Sequence, residues 1–160
     1  MQLLTYRIQT TNPYRKENLP RAKAYGKFKG QRIQDAGCII DRIVNDGFTN
    51  VKTVLDIGCA DGLVTQELSH LIPEARIHAL DIDPAMIDLA NELDKVDKIK
   101  YILQDITVVW DDLDPELQAL EDKVDLIFCN YVMNWIKPKD RPQAMRNISR
   151  LVFAAYFSVG

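Results

Sequence analysis

The feature that most constrains this chain is its alternation, after Gly47, of short apolar runs with amphipathic helical runs. "VKTVLDI", "ARIHAL", "KIKYILQ", "KVDLIFCN" and "FAAYFSV" read as strands. Between them, "DGLVTQELSHLI", "DPAMIDLANELD", "DPELQALED" and "PKDRPQAMRNISRLV" read as helices. Pro73 stops the first of these helices. Asp83-Pro84 and Asp114-Pro115 give the next two an N-cap and a proline at the first helical position. Upstream, "QRIQDAGCIIDRIVNDG" places Ile33, Ala36, Ile40, Ile43 and Val44 near one helical face, with Gly47 as a C-cap. Strands separated by helices pair in parallel, with right-handed crossovers and helices on both faces. The expected fold class is therefore α/β, a Rossmann-like, doubly wound sheet. Ligands of such sheets bind beyond the C-terminal ends of the strands, so those ends are where function is to be read.

Composition narrows the setting. A chain of 160 residues that is 47% hydrophobic suits one domain with a real core. No run of 18 apolar residues exists, so no membrane span is expected. The first twenty residues lack a continuous apolar segment, which argues against a secretory signal. Cys38, Cys59 and Cys129 are unclustered and sit in apolar contexts, the pattern of reduced thiols in a cytoplasmic protein. His70 and His78 have no metal-ligand spacing around them, so no metal is expected. Charge is uneven: residues 1–32 carry eight Lys/Arg and one acid, and the remaining residues carry twelve Lys/Arg and twenty-two acids. The chain accordingly divides into a basic N-terminal segment, 1–30, and a folded domain, 31–160. A basic arm is a phosphate-binding patch, a targeting segment or simply a solvated surface.

The strand ends carry a graded set of polar groups. The first ends "LDIGCADG". Gly58 and Gly62 permit a tight turn and close ligand approach, and the next helix points its free N–H groups at the same spot. Asp56 beside them favours a cation or ammonium over a pyrophosphate. The spacing Gly58-x-Ala60-x-Gly62 is shorter than the G-x-G-x-x-G of dinucleotide sites. Ala60 fits this loop if its φ is negative. The second strand ends at Asp81, placed where a carboxylate holds ribose hydroxyls; Asp83 is explained as the helix cap. The third ends at Asp105, which can accept from an exocyclic amine, with Ile106 beside it for an aromatic ring. The fourth ends at Asn130, followed by Tyr131, Met133 and Trp135 in a loop over the site.

One such group per strand end is far more specific than any single motif. The set resembles the class I S-adenosylmethionine-dependent methyltransferases. The resemblance implies S-adenosyl-L-methionine as cofactor and a sheet in the order 3-2-1-4-5. It implies a cofactor site of Asp56, Gly58, Cys59, Gly62, Asp81, Ile82, Asp105, Ile106 and Asn130. Within that superfamily, "LDIGCADGLVTQEL", "VDLIFCNYVMNWIKPKDRPQAMRNISRL" and the upstream "QRIQDA" look like the arthropod juvenile hormone acid O-methyltransferases, over roughly Tyr25 to Leu151. That resemblance implies an acceptor pocket lined by Trp135 and Tyr131. It also implies a glutamine near Asp35, where Arg32 stands at the family position and Gln31 beside it. The family's Lys-Pro-Gly-Gly-like turn and its last two strands have no counterpart after "NISRL", so the domain is expected to be C-terminally short.

A carboxylate acceptor is ionised at neutral pH and needs no general base. The residues then do mainly positioning, worth roughly 7–11 kcal/mol for two aligned reactants. No catalytic residue is expected beyond those that bind. The expected reaction is O-methylation of a small hydrophobic carboxylic acid, of the juvenile hormone acid or farnesoic acid type. Nucleic acid and membrane are not the expected partners, whereas the apolar edge of the fifth strand is a candidate for self-association. The rival readings are an RNA methyltransferase using the basic arm and a non-catalytic, methyltransferase-like binding module.

Overall fold

The structure is a computed structural model that describes residues 29–47, 50–94, 97–152 and 157–159. Most of the basic N-terminal segment, and residues 153–156 of the expected fifth strand, lie outside the described residues. The elements run α1 (Lys29–Asn45), β1 (Thr53–Ile57), α2 (Leu63–Leu71), β2 (Arg76–Asp81), α3 (Pro84–Leu93) and β3 (Ile99–Leu103). A 3₁₀ turn (Trp110–Asp112), α4 (Pro115–Gln118), β4 (Leu126–Cys129), α5 (Arg141–Leu151) and β5 (Phe157–Val159) follow. The strands form one sheet in the order β3-β2-β1-β4-β5. Every neighbouring pair is parallel. This is the expected topology, and it places β1 at the centre with its C-terminal tip between those of β2 and β4.

Strand periodicity divides the core in two. Val54, Ile77, Leu126 and Phe128 face one side, where Ala36, Ile39, Ile40 and Ile43 of α1 and Leu68 of α2 cover them, with Ile72 just past its end. Leu55, Ile57, Leu80, Ile102, Ile127 and Cys129 face the other, against Ala144, Ile148 and Leu151 of α5 and the apolar Leu113 and Leu117. Burying each such Leu or Ile contributes about 1.5–3 kcal/mol, and a one-residue slip of any strand would reverse every assignment. Asp125 sets the level of β4 on β1: its Oδ2 accepts from the N–H groups of Lys52 and Thr53, both at 2.9 Å, and its own N–H donates to the Thr53 carbonyl. With the N-terminal ends aligned, the tips of β1 and β4 come out at the same level.

The helix ends follow their sequence signals. Asp83 caps α3 by accepting from the Ala85 N–H at 3.0 Å, and Asp114 caps α4 by accepting from the Glu116 N–H at 2.8 Å. Gly47 turns the chain after α1 with φ 85°. The fourth helix is shorter than "DPELQALED" suggests. After Ala119 the bonds tighten to a three-residue spacing (Leu120 to Leu117, Glu121 to Gln118), and Asp122 adopts φ 55°, which no helix continues through. Among the described strands, β5 is an edge strand, paired with β4 alone. No helix among the described residues is long and apolar enough to cross a membrane.

Candidate functional site

The loop leaving β1 is built almost wholly from backbone hydrogen bonds. The Leu80 carbonyl of β2 accepts from both Gly58 N–H (2.7 Å) and Cys59 N–H (3.0 Å), and Gly62 N–H closes a turn onto the Cys59 carbonyl. Three residues of this loop lie in the left-handed region: Gly58 at φ 77°, Ala60 at 50° and Gly62 at 72°. The condition of a negative φ, under which Ala60 fits this loop without strain, is therefore not met. The loop needs the left-handed conformation to aim the Ala60 N–H at Asp81, whose Oδ2 accepts it at 2.9 Å. An alanine held there costs about 1–2 kcal/mol relative to the right-handed conformation. α2 then begins at Leu63 without a cap from Gly62, although the Leu63 N–H faces Oδ1 of the buried Asp61 at 3.5 Å.

The carboxylates differ in what surrounds them. Asp56 is 2% exposed and lies on the α2 side of β1, where the Thr65 hydroxyl donates to its Oδ2 at 2.6 Å. Burial pushes its pKa up to about 7, opposed by the Thr65 hydrogen bond and assisted by the nearby charge of Asp81. Asp81 is half-buried and bridges two loops: Ala60 N–H reaches one oxygen and Asp83 N–H the other, both at 2.9 Å. Burial raises its pKa as well, with those N–H donors pulling the other way. Asp105 closes a tight turn by accepting from the Thr107 N–H and hydroxyl on Oδ1, at 2.8 and 2.7 Å, which leaves Oδ2 for an outside donor.

The neighbours of these carboxylates show where a ligand fits. Ile82, just past Asp81, is 61% exposed, an apolar side chain presented at the strand end. Ile106 is instead 4% exposed and packs with Leu113 and Leu117 in the core. Its carbonyl is held by the Asn147 amide at 2.8 Å, and the same amide reaches the Val108 carbonyl at 2.8 Å. Asn130, at the tip of β4, buries its Oδ1 with no hydrogen-bond partner. Tyr131 takes φ 61°, which is strained for a bulky residue. It turns the chain back over the loop of β1, and the Trp135 N–H closes that return onto the Val132 carbonyl. Trp135 itself is 48% exposed. The backbone of Gln31 falls in the first turn of α1, and its side chain lies outside the described residues.

The thiols and imidazole nearby supply no reactive group. Burial raises the Cys59 pKa far above the usual thiol range and pushes that of Cys129 up to about 12. His78 lies mid-strand, opposite Leu55, and burial lowers its pKa. No group of three His, Cys, Asp or Glu is placed to hold a metal ion among the described residues. The site is thus a glycine loop flanked by carboxylates, an exposed isoleucine and an orphaned amide oxygen. These are acceptors for hydroxyls, amines and a cation, which fits a nucleoside carrying a cationic tail. Four contributors lie outside the sequence expectations: Thr65, Asn147, and the side chains of Val132 and Tyr101, which lie against Gly58 and Gly62. Thr65 and Asn147 do leave a trace, as polar residues on the inward faces of α2 and α5.

Comparison with known proteins agrees with this geometry. A family model described as a methyltransferase domain matches residues 54–153. A malonyl-[acyl-carrier protein] O-methyltransferase of Anoxybacillus flavithermus is 32% identical over 116 residues, which span 72% of this chain and 40% of that protein. The enzyme of the same name from Bacillus anthracis is 33% identical over 95 residues, 59% of this chain and 31% of that one. Among solved structures, a candidate S-adenosyl-L-methionine-dependent methyltransferase from Methanococcus maripaludis superposes with a TM-score of 0.71 at 19% identity. The superposition covers 95% of this chain and 68% of that one. The magnesium protoporphyrin IX methyltransferase of Synechocystis, solved with its methyl donor bound, gives 0.60 at 17% identity, over 87% and 62% of the two chains. The aligned part thus spans less than half the length of the two curated relatives. Those relatives are named for malonyl-carrier methylation and not for juvenile hormone acid, so the likeness holds at the level of the wider family. The chain belongs to the class I S-adenosylmethionine-dependent methyltransferases.

Proposed function

We propose that this chain binds S-adenosylmethionine across the tips of β1–β4 and directs O-methylation of a carboxylate acceptor. The observation that carries the reading is Asp81, which ties the glycine loop to β2 through the Ala60 N–H while its carboxylate stays at the strand end. In this reading Asp81 takes the ribose hydroxyls, Ile82 covers one face of the adenine and Asp105 Oδ2 accepts from its amine. Ile106 contributes by the packing that fixes Asp105. Asp56 lies beneath the loop with Cys59, Gly58 and Gly62 above it, and supplies negative charge once ionised. Asn130 Oδ1 gains its missing donor from the ammonium.

The bound cofactor supplies an activated methyl group for in-line transfer to an oxygen nucleophile. The chain's residues align the two reactants and exclude water; none is assigned a proton-transfer role. An already ionised acceptor suits such a site. The malonyl group in the name of the matched relatives ends, when joined to its carrier, in a free carboxylate, and the juvenile-hormone-type resemblance points to the same functional group. A carboxylic acid with an apolar body is therefore the acceptor class, with the half-buried Tyr131 and the exposed Trp135 shaping its pocket and Gln31 at its rim. The juvenile hormone acid or farnesoic acid type is the specific member favoured by the "CNYVMNW" stretch.

The test uses labelled methyl donor with terpenoid acids, fatty acids and a malonyl thioester, beside their methyl esters and alcohols as controls. Label transfer to the free acids alone is expected. Transfer to RNA, or to none of the acids by a chain that binds the cofactor, would contradict the reading. Trp135→Ala should raise KM for the acid several-fold and leave cofactor affinity unchanged.

A further inference from the structure

The two glycines of the β1 loop invite the reading that a ligand needs the space of their missing Cβ atoms. The structure assigns that space to the protein itself: we propose that Val132 and Tyr101 are positioning residues that clamp the loop from opposite sides. The inference rests on the methyltransferase reading for what the loop holds, and on packing alone for what holds the loop.

A Cβ built on Gly58 would overlap Val132 Cγ2, with Val132 Cβ at 3.4 Å and Cγ1 at 3.5 Å. A Cβ on Gly62 would meet the Tyr101 hydroxyl oxygen at 2.5 Å and its Cε1 and Cζ at 2.9 Å. Neither side chain yields easily. Val132 is β-branched and stiff at χ1. Its backbone is fixed by the left-handed Tyr131 before it and by the Trp135 N–H bonded to its carbonyl. Tyr101 lies mid-strand in β3, paired with Ala79, and its ring packs against the cluster of Cys59, Ala79 and Ile87. Its hydroxyl is buried beside the Gln66 side chain without a well-formed hydrogen bond, so packing of the ring is its main restraint.

Between these two contacts lies Ala60, whose N–H is bonded to Asp81. The run of three left-handed residues is therefore pinned at each position by a different strand: β4 through Val132, β2 through Asp81 and β3 through Tyr101. Such a loop is shaped before the cofactor arrives, which lowers the ordering cost of binding. Val132 also belongs to the same return as Tyr131 and Trp135, so the acceptor side of the site touches the cofactor loop directly. A change at Val132 should be felt in cofactor affinity although the residue is not among those assigned to hold the cofactor.

A double-mutant cycle tests this, with Gly58→Ala, Val132→Ala and the pair, read by calorimetry with S-adenosylmethionine and by urea unfolding. Val132→Ala alone should weaken cofactor binding about three- to tenfold, and Val132→Thr, which keeps the shape, should restore it. Gly58→Ala should weaken binding more, through its positive φ and the overlap together. The double variant should bind at least threefold tighter than the product of the two single losses. Additive losses, or wild-type affinity in Val132→Ala, would overturn the clamp while leaving the methyltransferase reading intact. If Gly58→Ala does not fold, Tyr101→Leu against Tyr101→Phe serves in its place. Leu should weaken binding and Phe should not, and equal behaviour of the two would sink the proposal. A wild-type chain that binds no cofactor would instead contradict the methyltransferase reading. The same non-additivity is then expected in the urea midpoints, and its absence there would overturn the clamp independently.

Discussion

The tips of β1–β3 and the tip of β4 are built on different principles. On the first side, each carboxylate is tied down by donors: Asp56 by Thr65, Asp81 by two backbone N–H groups, Asp105 by Thr107. On the second side, Asn130 leaves an oxygen without a partner, Tyr131 sits in a strained conformation and Trp135 stands half in solvent. The first is a polar frame whose carboxylates are each anchored by a donor of the protein. The second is a mainly apolar return, closed by the Trp135 N–H on the Val132 carbonyl, in which the Asn130 oxygen stays unbonded.

Breaking the frame should show in stability, most strongly at Asp56. Its pKa in the folded chain, about 7, lies well above the ordinary carboxylate value of 3.8. A raised folded pKa means that the folded state binds the extra proton. The protein is then most stable below about pH 4 with respect to this group, and loses stability as pH rises from about 4 to 7. At roughly 1.4 kcal/mol per pKa unit the penalty at pH 8 reaches about 4 kcal/mol. Asp56→Asn should therefore be more stable than wild type at pH 8, by up to that amount, with a flatter pH profile in urea unfolding. The cofactor arm has the opposite sign: pairing with a cation favours the ionised form, so wild-type affinity should rise between pH 6 and 7.5. Asp56→Asn should lose that dependence.

The next largest effect belongs to Asn147. One amide group holds two carbonyls, the buried one of Ile106 and the part-buried one of Val108. Asn147→Ala should destabilise the fold by about 2 kcal/mol, the order expected for buried polar groups left unpaired. It should also weaken cofactor binding through the Asp105 turn, whereas Asn147→Asp should recover neither, since a carboxylate cannot donate. The smallest effect is a gain. Ala60→Gly removes a methyl group from a left-handed position and should stabilise the chain by about 1 kcal/mol, or roughly 2–4 °C in Tm. A loss would mean that the Ala60 methyl, 8% exposed, contributes more by packing than its φ costs.

Much of this was legible in the sequence, for identifiable reasons. Asp-Pro pairs mark helix starts by local chemistry, and β-branched runs mark strands by period, so element order and a parallel sheet followed, while the strand order came from the family resemblance. The strand-end positions of Asp56, Asp81, Asp105 and Asn130 were legible from the strand pattern, and their part in the cofactor site is the proposal made above. What stayed hidden depends on contacts across space. The 3₁₀ turn at Trp110–Asp112 is too short to have a period. The sign of φ at Ala60 is set by a hydrogen bond to Asp81, and no feature of "GCADG" encodes it. The roles of Val132 and Tyr101 depend on the level at which β4 and β3 stand beside β1, which Asp125 and the ladder fix far from the loop.

The most direct test of the account is a calorimetric titration of S-adenosylmethionine into the wild-type chain and into Asp81→Ala. One-to-one binding by the wild type, weakened at least tenfold in Asp81→Ala with the fold retained by circular dichroism, is the predicted result. Equal affinity in the two proteins would contradict the assignment of the cofactor to the strand tips around Asp81.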